Sequence, residues 1–169
     1  DFECYAEDPT LSSRLAAAFV RGVQARGVGA CVKHFVANDV EWERHRASSE
    51  MDERTLREVY LPHFRSVVLE AHAGSVMTAY NKLNGRYCAE NVHLVREILK
   101  DEWGFDGFVE SDWVLGTRST VDSALAGLDI EMPSARYYGD PLVAAVENGE
   151  VPPGYVDDAV RRVLRAKFC

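Results

Sequence analysis

Asp112 ends the run Gly107-Phe108-Val109-Glu110-Ser111-Asp112-Trp113, where apolar or inward-facing residues give way abruptly to Ser-Asp-Trp. Such a run reads as a buried strand that delivers a carboxylate and an aromatic wall to an open rim. The C-terminal ends of parallel strands are where α/β barrels and open α/β sheets keep their chemistry. Position alone also allows a second reading, in which Asp112 is the N-cap of a following helix. Val32-Lys33-His34-Phe35 is another short apolar run ending in polar groups. A lysine there is poorly explained by packing, because a buried ammonium needs partners. It suits hydrogen bonding to the hydroxyls of a polar ligand, or a Schiff base if desolvation makes the amine nucleophilic. His34 reads either as part of that site or as a satisfied core histidine. Tyr80 and Asn81 follow the run Ser75-Val76-Met77-Thr78-Ala79 and add a third set of polar groups. Three strand ends supplying such groups on one side predict a site.

The elements that must hold these residues alternate along the chain. Leu11 to Arg26 has helical spacing, with Leu15, Phe19 and Val23 on one side and Pro9 in the first turn. Residues 30–35 read as a strand, and residues 36–50 as a long polar loop. Asp52 caps an expected helix from Glu53 to about Ala71, with Leu56, Val59, Tyr60, Phe64 and Val67 as its buried stripe. A strand is expected at 74–79, and a helix capped by Asn91 reaching Trp103. The strand at 107–111 follows, then a helix over 120–126 and a short strand in Leu128-Asp129-Ile130-Glu131-Met132-Pro133. Two more helices enter through Asp140-Pro141 and after Pro152-Pro153. Strands near 31, 76, 109 and 130 alternating with helices imply parallel pairing through right-handed crossovers. A closed barrel needs eight strands and about 250 residues. The expectation is therefore an α/β chain forming the second, C-terminal half of a (β/α)8 TIM-type barrel, four βα units within one partial domain, 1–169. An open doubly wound sheet of four strands is the competing architecture.

The bulk composition narrows the function. At 169 residues with a net charge of -8, the chain lacks the basic patch that nucleic acid would require. The basic residues near Arg161 to Lys167 follow Asp157 and Asp158, which complements a helix dipole. No apolar run is long enough to span a bilayer, so no membrane partner is expected. Cys4, Cys31, Cys88 and Cys169 form no Cys-x-x-Cys pair, and the five histidines form no His-x-x-x-His pair. Neither a metal nor an organic cofactor is expected. The first residues carry no signal-peptide pattern, which leaves the compartment open.

The order of these motifs resembles the catalytic barrel domain of family 3 glycoside hydrolases, the β-glucosidase group, along essentially the whole chain. Lys33-His34-Phe35 with Asn38, then Glu41-x-x-Arg44, is similar to the family's sugar-contacting strand and loop. Glu53-Arg54-x-Leu56-Arg57-Glu58-x-Tyr60-Leu61-Pro62 is similar to its helix signature. Val76-Met77-Thr78-Ala79-Tyr80-Asn81 with Asn84-Gly85 resembles the next strand and turn. Ser111-Asp112-Trp113 resembles the nucleophile motif, and Gly127 to Pro133 the final strand. The resemblance implies that Asp112 is the catalytic nucleophile of a retaining exo-acting β-glycosidase. It implies that Trp113 lines the sugar pocket, that Lys33, His34 and Arg44 bind hydroxyls, and that Met77 and Tyr80 pack beside the reacting carbon. The implied substrate is a β-linked oligosaccharide or glucoside. Ser-Asp-Trp, and Lys-His-Phe without a following Pro-Gly-His, favour a glucosidase over an N-acetylglucosaminidase.

The chemistry suits the residue types. Sugars offer hydroxyls and C–H faces, so charged donors and an aromatic wall are fitting holders. Retention needs a second carboxyl about 5–5.5 Å from the nucleophile to protonate the leaving oxygen. Asp112, near Lys33 and Arg44, is expected to stay ionised. By the resemblance, the acid/base is a Glu on a domain after the barrel, outside this chain. The first half of the barrel is likewise expected elsewhere in the parent chain, and Asp1-Phe2-Glu3 resembles the tail of an Arg-bearing motif. The isolated chain is expected to be poorly active, with open strand edges that favour aggregation or dimerisation. A non-catalytic sugar-binding or vestigial barrel fragment is the alternative. Glu110 departs from the family, which usually has an apolar residue there. Strand alternation puts it on the side of Asp112, as a substitute acid or, more in keeping with its depth, paired with an arginine outside the chain.

Overall fold

The structure, a computed structural model, describes residues 4–168. Asp1-Phe2-Glu3 and Cys169 lie outside the described residues. Helix α1 spans Pro9–Gln24, and the Asp8 carboxylate caps it by accepting from the Thr10 and Leu11 amides at 2.7 and 3.1 Å. The parallel sheet is built from β1 (Cys31–Phe35), β3 (Ser75–Thr78) and β6 (Phe108–Glu110), paired in the order β1-β3-β6. Its register places Cys31 beside Ser75, Val76 beside Val109, and Met77 beside Glu110. The expected fourth strand is reduced to one parallel bridge between Glu110 and Ile130. Sequential neighbours are thus spatial neighbours, as crossover connections require.

The helix after the second loop is segmented. The Asp52 carboxylate accepts from Thr55 N at 2.7 Å and starts α2 (Glu53–Thr55). A wide π turn follows over Leu56–Tyr60, and Pro62 opens α3 (Pro62–Ala71). Leu61 N reaches back to Leu56 O, five residues earlier. The extra residue in that turn shifts the helical phase, so Val59, expected in the buried stripe, is 46% exposed. A second π-wound helix spans His93–Glu102, with the Asn91 side chain accepting from Leu94 N at 3.2 Å. Later come α4 (Thr120–Ala126), α5 (Asp140–Glu147) and α6 (Pro153–Phe168).

The face of α1 also differs from the expected stripe. Leu15 and Phe19 are exposed, while Ala17 and Val20 are buried against Val67, Ala71 and Ala73. Small residues let α1 lie close to α3, and periodicity alone cannot tell which of two adjacent apolar faces takes the neighbour. The long loop after β1 holds a short strand, β2 (Ser48–Ser49), that pairs with β4 (Lys82–Leu83). Strand β4 turns into β5 (Arg86–Tyr87) through Asn84 and Gly85, whose φ values of 49 and 83° match a two-residue hairpin turn.

The main core joins Phe35, Val76 and Val109 from the sheet to Phe64, Leu94, Ile98, Leu99 and Trp103 from the helices. A polar tie runs through its edge. Lys100 Nζ lies 2.7 Å from Asp129 Oδ1, with both side chains almost fully buried, and Asp129 Oδ2 accepts from Val109 N at 2.7 Å. Burial pushes the lysine down and the aspartic acid up, while each charge opposes the other's shift. Removing one partner strands a buried charge. Lys100→Met should therefore destabilise the fold by about 3–5 kcal/mol in a urea titration.

His93 bridges two helices, with Nδ1 at 2.6 Å from Glu97 and Nε2 at 3.0 Å from Glu53. The Glu97 and Glu53 carboxylates raise its pKa above the ordinary 6.5, against some desolvation. A raised folded value means that this stability is complete below the unfolded pKa and is lost as pH climbs through the folded one. Wild type should exceed His93→Gln in stability below the unfolded value of 6.5, and the gap should close as pH rises through the raised folded value, read from urea titrations across a pH series.

Candidate active site

Strand alternation sorts the side chains. Val32, Val76 and Val109 share a row across the sheet, and Val76 and Val109 are fully buried in the main core. Cys31, Ser75, Met77, Glu110 and Asp112 belong to the opposite face. Asp112 lies just beyond the C-terminal end of β6 and is only 8% exposed. Its Oδ1 accepts from the Trp113 amide at 2.6 Å, and its Oδ2 lies 3.4 Å from His34 Nε2. The turn after it closes tightly. A Cβ on Gly116 would stand 2.3 Å from the Asp112 carbonyl oxygen, so only glycine lets the chain fold back there.

A cavity of about 570 Å³ opens in front of this carboxylate. Lys33, His34, Arg44, Tyr80 and Asp112 all line it. Of the seven residues singled out in the sequence, these five converge. Met77 is buried on the same face of the sheet, and Trp113 is half exposed at the rim, so neither is among the cavity-lining residues. The Trp113 backbone takes part through both its amide and its carbonyl, the latter accepting from the Tyr80 hydroxyl at 2.7 Å. Desolvation, and then the charge of Asp112, push Tyr80 up to about 12, which keeps its hydroxyl a proton donor.

The loop after β1 presents the cationic side. Arg44 Nη1 pairs with Glu41 Oε2 at 2.9 Å, and the other oxygen of Glu41 accepts from Asn38 at 3.2 Å. The guanidinium stands 5.0 Å from the centre of the Tyr80 ring. Asn81 anchors the base of this loop by donating to the Val36 and Ala37 carbonyls at 3.2 and 3.1 Å. These contacts hold basic side chains and a carboxylate around one cavity. Such a set can grip hydroxyl groups and present an anionic oxygen to an electrophilic carbon.

Glu110 takes a different place. It accepts from Ser75 Oγ at 3.3 Å and neighbours the Cys31 thiol across the sheet. Desolvation, and then the hydrogen bond to Glu110, push that thiol up to about 12. Glu110 does not line the cavity.

A second cavity of about 410 Å³, largely apolar, lies between Leu128, Met132, Leu142 and Tyr155. Its carboxylates are already engaged, Asp129 by Lys100 and Glu131 by the Tyr137 and Tyr138 amides at 2.7 and 2.9 Å. The first cavity, which gathers five of the residues singled out in the sequence, is the candidate site. Sequence reading missed His63, which also lines that cavity, and the rim residues His45, Tyr87, Glu90 and Arg118. The Asn84-Gly85 turn marked their hairpin, but nothing in the spacing marked Arg118.

Comparison with known proteins agrees with the strand-end geometry. Residues 2–166 match the model of the glycosyl hydrolase family 3 N terminal domain. A β-glucosidase of Rhizobium radiobacter is 52% identical over 97% of this chain, which spans 20% of that protein. Thermostable β-glucosidase B of Acetivibrio thermocellus is 48% identical over 99%, and the chain spans 22% of it. Among solved structures, β-glucosidase 3B of Thermotoga neapolitana in complex with glucose superposes with a TM-score of 0.92 at 43% identity. That match covers 98% of this chain and 24% of the other. The chain thus spans about a fifth of the length of the curated relatives it matches. By its family model and by these relatives, the chain belongs to glycosyl hydrolase family 3, to that family's N-terminal domain.

Proposed function

We propose that the protein carrying this sequence is a retaining, exo-acting β-glucosidase-type hydrolase with Asp112 as its nucleophile. The observation that carries this reading is the convergence of Asp112, His34, Lys33, Arg44 and Tyr80 on one cavity at the C-terminal strand ends. The names of the relatives support a β-glucoside as substrate. In this reading Lys33, His34 and Arg44 hold hydroxyls of the terminal sugar, and Trp113 stands at the rim beside it. Asp112 attacks the anomeric carbon, the C–O bond to the leaving group breaks, and the leaving oxygen takes a proton from an acid. Water then attacks the glycosyl-enzyme and returns the carboxylate.

The acid is a residue outside this chain. Of the carboxylates that line the cavity besides Asp112, Glu41 is held by Arg44 and Asn38 and Asp39 is bonded to Tyr60; Glu7, the third, lies ahead of α1 and belongs to no strand end. The chain itself supplies four consecutive βα units, the second half of a (β/α)8 barrel. The sequential parallel order of β1, β3 and β6, with Ile130 at the next edge, supports that assignment. So does the small share of each relative that the chain covers.

A 2-deoxy-2-fluoro-β-glucoside of 2,4-dinitrophenol tests the nucleophile without needing the acid. The Asp112–C1 bond forms as the C1–O bond breaks, and dinitrophenolate leaves unprotonated. The natural protein that carries this sequence should gain one fluoroglucosyl group on the peptide containing Asp112. Asp112→Asn should remove the label and lower kcat/KM on an aryl β-glucoside by at least about a thousand-fold. A label on another residue, or an Asp112→Asn variant near wild-type activity, would sink the assignment.

A further inference from the structure

The three loops that carry the cavity's polar groups meet at one arginine. Arg44 belongs to the loop after β1, Tyr80 leads into the hairpin of β4 and β5, and Asp112 with Trp113 opens the loop after β6. Arg118, on the last of these, donates from Nη2 to the His45 carbonyl on the first at 3.4 Å. The same carbonyl accepts from the Tyr87 hydroxyl of the hairpin at 3.2 Å. The Arg118 guanidinium lies 5.2 Å from the centre of the Tyr87 ring, and its backbone amide donates to Glu90 Oε1 at 3.1 Å.

From this node the contacts lead inward. The His45 ring meets Tyr80 edge-on at 4.6 Å, and its neighbour Arg44 stands over Tyr80. Tyr80 holds the Trp113 carbonyl, and the Trp113 amide holds Asp112. Arg118 is half-buried, with the Glu90 carboxylate within range of its charge. Its guanidinium rests on a carbonyl and a ring, and its Nε is buried without a hydrogen-bond partner among the described residues. A buried donor left without a partner adds nothing to stability. What the side chain does gain is a fixed spacing between three loops, from a planar group that can bond in its plane and stack on its face.

We propose that Arg118 is a positioning residue for the reaction at Asp112, locking the three rim loops so that Arg44, Tyr80 and Asp112 converge on the bound sugar. This rests on the glycosidase reading of Asp112. Arg118 is not among the residues that line the cavity; it acts through His45, Tyr87 and Tyr80.

The test measures turnover per working site in the natural protein that carries this sequence. The burst of dinitrophenolate from the fluoroglucoside counts the sites, and hydrolysis of an aryl β-glucoside gives kcat. Arg118→Ala should keep titratable sites yet lose up to about 100-fold in kcat per site, the scale of a misplacement near 1 Å. Arg118→Lys should be intermediate, because an ammonium can reach the carbonyl but has no plane to stack on Tyr87. Combined with Tyr80→Phe, Arg118→Ala should lose less than the product of the two single effects, since both act on one line of contacts. A merely structural arginine would lower the number of sites at unchanged kcat per site, and that result overturns the proposal. Effects that multiply with Tyr80→Phe overturn it too. If Arg118→Ala yields no folded protein, Arg118→Lys at wild-type kcat per site does the same. A wild type that takes no label ends the glycosidase reading instead, and the role of Arg118 with it.

Discussion

The register that brings Asp112 to the rim depends on a buried ion pair at the back of the sheet. Lys100 and Asp129 are 2.7 Å apart with almost no exposure, and the second oxygen of Asp129 takes the amide of Val109. That one carboxylate fastens a helix, the middle strand residue of β6 and the segment after α4 to each other. The backbone then follows, with Asp129 N and Ile130 N both donating to Val109 O, and Ser111 N donating to Ile130 O. A hydrophobic contact could hold these pieces together but would not fix their register. A slip of one residue would turn Asp112 to the helix side of the sheet. The desolvation cost of the pair is the cost of that register.

The rim solves a second problem with different means. Loops have few backbone ladders, so a cavity framed by loops must be held by side chains. Here Asn81 pins the base of the loop after β1, Asn84 straps Met51 through two hydrogen bonds, and Tyr80 pins the turn after Asp112. Each of these residues bonds to main chain and so is insensitive to neighbouring side-chain identity. The cavity keeps its shape because polar side chains replace the missing ladders.

The sheet and the cavity differ in how much of them the sequence discloses. The apolar runs ending at Phe35, Thr78 and Glu110 are local signals, so β1, β3 and β6 could be read directly, as could the Asp52 and Asn91 caps. Five of the seven site residues meet in space because they share a strand end or its loop, which alternation and order make visible. The exposed faces of Leu15 and Val59 were not visible in the same way. One depends on which apolar face finds a neighbour, the other on a single residue of π winding. The Lys100–Asp129 pair joins positions 29 apart that each resemble ordinary surface charges in isolation. Arg118 carries no periodicity, no motif and no cap, and its meaning comes from three loops meeting.

Glu110 shows how depth along a strand decides between chemical roles. It faces the same side as Asp112 and lies two residues earlier, about 6.6 Å along the strand. An acid for a retaining reaction must stand about 5–5.5 Å from the nucleophile and across the bond that breaks. Glu110 instead sits one pleat below the nucleophile, bonded to Ser75 and beside the Cys31 thiol. A sugar held at the rim by Lys33, His34 and Arg44 would have Asp112 between its leaving oxygen and Glu110. Geometry therefore argues against Glu110 as the proton donor. Depth along the strand thus separates two carboxylates of one face, Asp112 at the cavity and Glu110 against Ser75 and Cys31.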